Sequence, residues 1–175
     1  MEEQDLVNGL NVTEFNEAVK LISEQEGAKR APKKSRIRWQ GGFKFTAMVR
    51  NHTFLVDEPS HLTGKDEAPN SVEYVLGALG ACLATGFVLN ASRQGIEIRN
   101  LEVALDSTQD NVFTFLGIGD EGHSGLDAIT AKLFVQADAD EETLRRIWEH
   151  TVKTSPVGNS LTRAVSLKTE VDVIP

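Results

Sequence analysis

Cys82 is the one cysteine in the sequence, and any covalent chemistry of the chain turns on it. A lone thiol cannot close an internal disulfide, so what matters is the reactivity of the thiol itself. The surrounding run, EYVLGALGACLATG from Glu73 to Gly86, leaves little side-chain bulk around the sulfur, with Gly77, Ala78, Gly80, Ala81 and Ala84 as neighbours. Two readings follow from the residues. Cysteine is a small hydrophobe that fills a crowded helix crossing, or, given a charged partner, it is a thiolate nucleophile.

Glu73 is the only acid in this helical stretch. It lies nine residues before Cys82, about 13–14 Å along a helix axis and on the opposite face, so the two cannot meet within one straight helix. Its local role is that of a first-turn acid following a capping Ser71 or Asn70, favoured by the helix dipole. Glu73 and Cys82 would come level only if the same helix of a second copy packed antiparallel across it. The two-fold axis would then lie near Gly77 and Ala78, whose small side chains let backbones approach.

Other motifs read as ordinary structure. GIGDEG at 117–122 has the letters of a dinucleotide-binding turn, but the residues after it read as a strand, and that site needs a helix N-terminus for the pyrophosphate. A glycine-rich turn is expected. His52, His61, His123 and His150 show no metal-ligand spacing, and the acids Asp57, Glu58, Asp66 and Glu67 crowd one solvated loop. No metal or cofactor is expected.

The 175 residues suit one domain, with 40% hydrophobic and 25% charged residues as in an ordinary globular protein. No apolar run approaches the roughly 18 residues of a membrane span. The start, MEEQDLVNGL, lacks a basic region followed by an apolar stretch, so no signal peptide is expected and a cytoplasmic location follows. A net charge of −8 argues against nucleic-acid binding. The exception is local: Lys29 to Arg38 carries six basic residues in ten, read as a solvated connector and strand edge or as an anion-attracting patch.

The elements follow from periodicity. Val12, Phe15, Val19 and Ile22 predict a helix over 12–26, capped by Thr13 or Asn11 and ending before Gly27. Alternation in RIRWQ, FKFTAMV and TFLVDEP predicts three antiparallel strands, with turns at Gly41, Gly42, Asn51 and His52. Residues 58–70 are a loop. Ser71 to Gln94 is a long buried helix stopped by Gly95. Strands are expected near 96–106, 111–117 and 127–136, then a helix near 140–152, a short turn of helix capped by Ser155 with Pro156 at its first position, and a last strand near 164–173. Strands grouped before and after a central helix indicate α+β. Residues 1–35 form a helical extension and basic linker, and 36–175 the main domain.

The ordered strings are similar to the OsmC/Ohr superfamily of osmotically inducible and organic hydroperoxide resistance proteins. They are DEP at 57–59, PNSVEYVLGALGAC from Pro69 to Cys82, GIEIRNLEVAL at 95–105 and SPVGNSL at 155–161. The resemblance runs from about Trp39 to the C-terminus. It implies an intertwined α+β homodimer, with long central helices enclosed by antiparallel-rich sheets and active sites at the interface. It also implies a peroxidatic cysteine at Cys82, with Ser155 standing where two-cysteine relatives carry the second thiol. Glu73 resembles the family glutamate. No arginine occupies the Gly41–Gly42 turn, so Arg38 or Arg50 would have to supply the positive charge.

The implied chemistry is attack of a Cys82 thiolate on the terminal oxygen of a small organic hydroperoxide, with an external thiol as reductant because a serine cannot resolve the sulfenate. A second expectation is a non-catalytic dimer binding a small hydrophobic ligand in the interface cleft. A third leaves Cys82 as inert packing.

Overall fold

A computed structural model of the chain describes residues 6–27 and 29–174. The acids at 2, 3 and 5, on which the expectation about the leader rests, lie outside the described residues. The chain divides into two compact units: residues up to Ala78 with Ser92–Glu97, and Leu79–Ala91 with the residues from Ile98 onward.

The first unit opens with a hairpin that periodicity missed, β1 (Leu6–Val7) and β2 (Leu10–Asn11). Its turn is Asn8-Gly9 with φ of 54° and 77°, the paired left-handed residues that a two-residue hairpin requires. Helix α1 (Val12–Ser23) follows, capped by the Asn11 side chain, which accepts the Glu14 N–H. It ends before the expected residue 26. The extension is anchored to Ser92–Glu97: Asn8 Nδ2 donates to Ser92 Oγ and to Ile96 O, both at 2.9 Å, and the Arg93 guanidinium lies 5.2 Å from the Phe15 ring centre.

The alternating residues form β3 (Arg36–Gly41), β4 (Lys44–Val49) and β5 (His52–Val56), an antiparallel sheet in the order β3-β4-β5. Register aligns Ile37, Ala47 and Phe54 in one row. Ala47 is fully buried, and Phe54 packs its ring 4.9 Å from Tyr74. Tyr74 belongs to helix α2 (Ser71–Ser92), and its hydroxyl donates to Leu55 O at 2.6 Å.

Helix α2 ends at Ser92, two residues before the expected Gln94, and Gly95 follows in the turn at φ 70°. Two further expectations about it need correction. It is buried only in its second half, through Leu79, Leu83, Phe87 and Ala91, while Val75, Gly77 and Ala78 face solvent. It is also long and apolar enough to cross a membrane by length and composition, since its glycines and alanines add to an apolar stretch; 22% of that stretch is buried. The core helix of a folded domain meets the same description.

The second unit pairs β6 (Ile98–Gln109) with β7 (Leu126–Ala137) in an antiparallel ribbon. Residues 111–117 are not the expected strand. Asn111 Oδ1 accepts the Phe113 N–H and starts a single helical turn, α3 (Val112–Phe115), while the Asp110 carboxylate takes the His123 N–H. Local side-chain capping thus outcompetes the β propensity of Val112, Phe113 and Phe115. GIGDEG is the glycine-rich turn expected, with Gly117 and Gly122 both at φ 69°.

Helix α4 (Glu141–Thr154) is capped by Asp140 and α5 (Pro156–Thr162) by Ser155. Small residues allow α2 to pack here. A Cβ at Gly80 would lie 2.6 Å from Leu105 Cδ1, and one at Gly86 2.9 Å from Thr151 Cγ2. Burial of Leu83 and Phe87 contributes about 1.5–3 kcal/mol each. Residues 164–173 form no strand within this chain. Their alternation is intact, but a strand needs an edge to bond to, and Val165, Leu167, Val171 and Val173 are exposed.

Candidate functional site

The α4–α5 joint sets the place of Ser155. It ends α4 and caps α5, with its own backbone extended at φ −60°, ψ 119° and Pro156 following at the first helical position. The Gly158 N–H donates to Ser155 Oγ at 3.0 Å, and the Ser155 carbonyl accepts from Asn159 N and Nδ2 at 2.9 and 2.8 Å. A Cβ on Gly158 would come within 3.2 Å of Ser155 Cβ and Oγ, so glycine is what permits the tight cap. Ser155 is consequently fixed, and it is 3% exposed.

Across from it, α2 presents Cys82. Sγ lies 3.2 Å from Ser155 Oγ, within hydrogen-bonding distance for sulfur. Cys82 is a free, half-buried thiol. Residues 73 positions apart are thus brought together, which nothing in the periodicity foretold.

Glu73 and Arg38 belong to the first unit. The Glu73 carboxylate accepts the Asn70 N–H at 2.8 Å, while Asn70 Oδ1 accepts the Val72 and Glu73 N–H groups at 3.1 and 3.0 Å. The cap is therefore Asn70, one of the two alternatives. Arg38 stands exposed on β3 opposite Thr46, and Arg50 occupies the β4–β5 turn at φ 55°. Among the described residues, Arg38 and Glu73 form no ion pair.

Sequence reasoning missed Lys44, which pairs with Glu67 in the loop that precedes α2. Its signal in the sequence is a cation two residues beyond Gly42, in the first hairpin. The loop is organised by Asp57, which is 1% exposed. Its carboxylate accepts the N–H groups of Glu58, Lys65 and Glu67 at 2.9, 3.1 and 3.3 Å. Burial pushes the Asp57 carboxyl up, but those three N–H donors and the Lys44 charge outweigh it and hold it below its ordinary value. The acids of 57–67 are thus partly structural.

The site is thus a free thiol on a helix of an α+β fold, set against a buried hydroxyl at a helix cap. The chain belongs to the OsmC-like protein family, whose profile matches residues 64–170. Comparison with curated proteins gave no match. Among solved structures, the chain is similar to an OsmC-like protein of Mycoplasma pneumoniae, at 18% identity and TM-score 0.63, covering 75% of this chain and 87% of that one. An organic hydroperoxide resistance protein of Legionella pneumophila matches at 12% identity and TM-score 0.57, covering 75% and 90%. That of Bacillus subtilis matches at 18% and 0.50, covering 75% and 91%. At these identities the structures establish a shared fold.

Proposed function

We propose that this protein is a homodimeric stress protein that reduces small organic hydroperoxides through Cys82, using one cysteine and an external thiol. The observation that carries the reading is the placement of Cys82 Sγ 3.2 Å from Ser155 Oγ, within the stretch that matches the family; the resemblance puts the second thiol of two-cysteine relatives at Ser155. The Cys82 thiolate attacks the terminal oxygen of ROOH; the S–O bond forms, the O–O bond breaks, and the departing alkoxide takes a proton to leave as ROH. An external thiol R′SH condenses with the sulfenic acid to give Cys82–S–S–R′ and water. A second R′SH then releases Cys82 as thiol and R′SSR′ as product. Ser155 has no thiol with which to do this internally.

In this reading residues 36–175 are the catalytic domain, 1–35 an extension, and the setting cytoplasmic. Arg38 supplies positive charge, and the partner's Glu73 comes level with Cys82 when two α2 helices pair antiparallel about Gly77 and Ala78. Support for a dimer comes from the apolar surface of the single chain. Gly77 has open space where a Cβ would stand, and Ile37, Trp39, Val165, Leu167, Val171 and Val173 are exposed. Apolar side chains left exposed in this way favour association.

The test is turnover of cumene hydroperoxide with small-molecule and lipoyl dithiols. Wild type is expected to turn over and Cys82→Ser to be inactive; equal inactivity of both sinks the reading. Light scattering is expected to give a dimer that Gly77→Leu weakens, and a monomeric wild type would remove the shared site.

Ser155 in place of a second cysteine also favours a second reading, a non-catalytic dimer that binds a small hydrophobic ligand in its interface cleft. Native mass spectrometry showing no co-purified ligand, with no thermal shift across a lipid and aromatic panel, would count against it.

A further inference from the structure

Ser155 does more than occupy the place of a missing thiol. We infer that it is a positioning residue for Cys82: its buried hydroxyl donates a hydrogen bond to Sγ and favours the ionised sulfur. The inference rests on the reading of Cys82 as the reacting thiol.

A serine hydroxyl has one proton to give and two lone pairs with which to accept. The Gly158 N–H, 3.0 Å away, takes a lone pair, so the oxygen is held as an acceptor on the α5 side. The proton is left for another partner. Among the described residues the only other group bonded to this oxygen is Cys82 Sγ at 3.2 Å. A neutral thiol is a weak acceptor, whereas a thiolate is a charged one, and hydrogen bonds to charged acceptors are roughly twice as strong as neutral ones. Donation from Ser155 therefore stabilises S⁻ more than SH, which biases the thiol toward the form that attacks peroxide.

Pre-organisation makes the bias effective. The Ser155 side chain is fixed by the cap, by Pro156 after it and by the absence of a Cβ on Gly158, so little ordering is needed when the sulfur ionises. Helix α5 carries no titratable side chain, and His150 and Lys153, the titratable residues of α4 nearest to Ser155 in sequence, are exposed. A second cysteine at this position would exchange thiolate stabilisation for disulfide formation. Serine keeps the first and gives up the second.

The experiment follows the rate of Cys82 alkylation by iodoacetamide against pH in the full chain, for wild type, Ser155→Ala, Ser155→Gly and Ser155→Thr, with thermal unfolding of each alongside. Helix caps tolerate glycine, so Ser155→Gly removes the hydroxyl even if Ser155→Ala folds poorly. The midpoint of the alkylation profile is expected to move to higher pH in Ser155→Ala and Ser155→Gly, with alkylation several-fold slower below it, and to return in Ser155→Thr. Loss of the cap alone lowers the melting temperature without moving that midpoint. Superimposed profiles for wild type, Ser155→Ala and Ser155→Gly would overturn the inference. Sulfenate formation with cumene hydroperoxide separates it from the peroxidase reading. Shifted midpoints without any wild-type sulfenate would leave the hydrogen bond standing and the peroxidase fallen; sulfenate with unshifted midpoints would do the reverse.

Discussion

Glu73 and Asn70 cap α2 reciprocally: the Asn70 N–H donates to Glu73 Oε2 at 2.8 Å, and the Glu73 N–H donates to Asn70 Oδ1 at 3.0 Å. This is the capping-box arrangement, with asparagine in the place of serine or threonine. The acid that resembles the family glutamate is thus a structural cap in this chain.

Glu73→Ala is expected to lower stability by about 1 kcal/mol, because the Asn70 N–H loses its acceptor, while Glu73→Gln keeps the box and stays within about 0.5 kcal/mol of wild type. Urea unfolding measures both. If Glu73→Gln still loses peroxidase activity, the carboxylate charge is needed for chemistry; equal unfolding midpoints for Ala and Gln would show that the box contributes nothing.

Ser155→Cys should restore a two-thiol cycle. The present Sγ···Oγ separation is 3.2 Å. A disulfide requires about 2.05 Å, a closure that small side-chain movements can supply. After one equivalent of organic hydroperoxide, the variant is expected to lose both thiols to alkylating reagents until it is reduced. Two thiols still open to alkylation after oxidation would contradict the geometry.

Asp57 makes stability fall in acid. Its carboxyl titrates below the ordinary value of 3.8 in the folded chain, so its contribution is complete above that value and disappears as the pH drops through the lower, folded one. Asp140 acts in the same sense, since the N–H and hydroxyl of Thr143 bond to its carboxylate and hold it low. Asp57→Asn is expected to be less stable than wild type at pH 7, with the difference shrinking as the pH falls below 3.8. Parallel unfolding midpoints from pH 7 to pH 3 would show that the loop does not depend on the charge.

The two glycines that let α2 pack within the second unit differ in cost. A Cβ at Gly80 meets the mobile end of Leu105, whereas one at Gly86 meets Thr151, which is 1% exposed and bonded through Oγ1 to Asn90. Overpacking costs about 1–3 kcal/mol and glycine-to-alanine in a helix returns about 1 kcal/mol. Gly80→Ala should therefore be close to neutral and Gly86→Ala destabilising by about 1–2 kcal/mol. Adding Thr151→Ser to Gly86→Ala should recover part of the loss, and a double-mutant cycle showing simple additivity would exclude that contact.

Much was legible in the residues themselves. Alternation placed β3, β4 and β5, Gly95 marked the turn after α2, Pro156 after Ser155 announced a cap, and GIGDEG was a turn because no helix followed it. Each of these depends on neighbours in sequence, through backbone conformation and side-chain period. The misreading at 111–117 had the opposite origin, as β-forming residues found no strand to pair with and Asn111 offered a local bond instead.

Only tertiary structure could decide what stands beside Cys82. Sequence singled out the thiol and, by likeness to a family, Ser155, but the distance from Sγ to Ser155 Oγ depends on how the Leu79–Ala91 part of α2 packs and how α4 turns into α5. The same holds for Lys44 and Glu67, whose pairing depends on the path of the loop that Asp57 ties down. Residue type fixes which chemistry is available. Packing fixes which groups are close enough to share a proton.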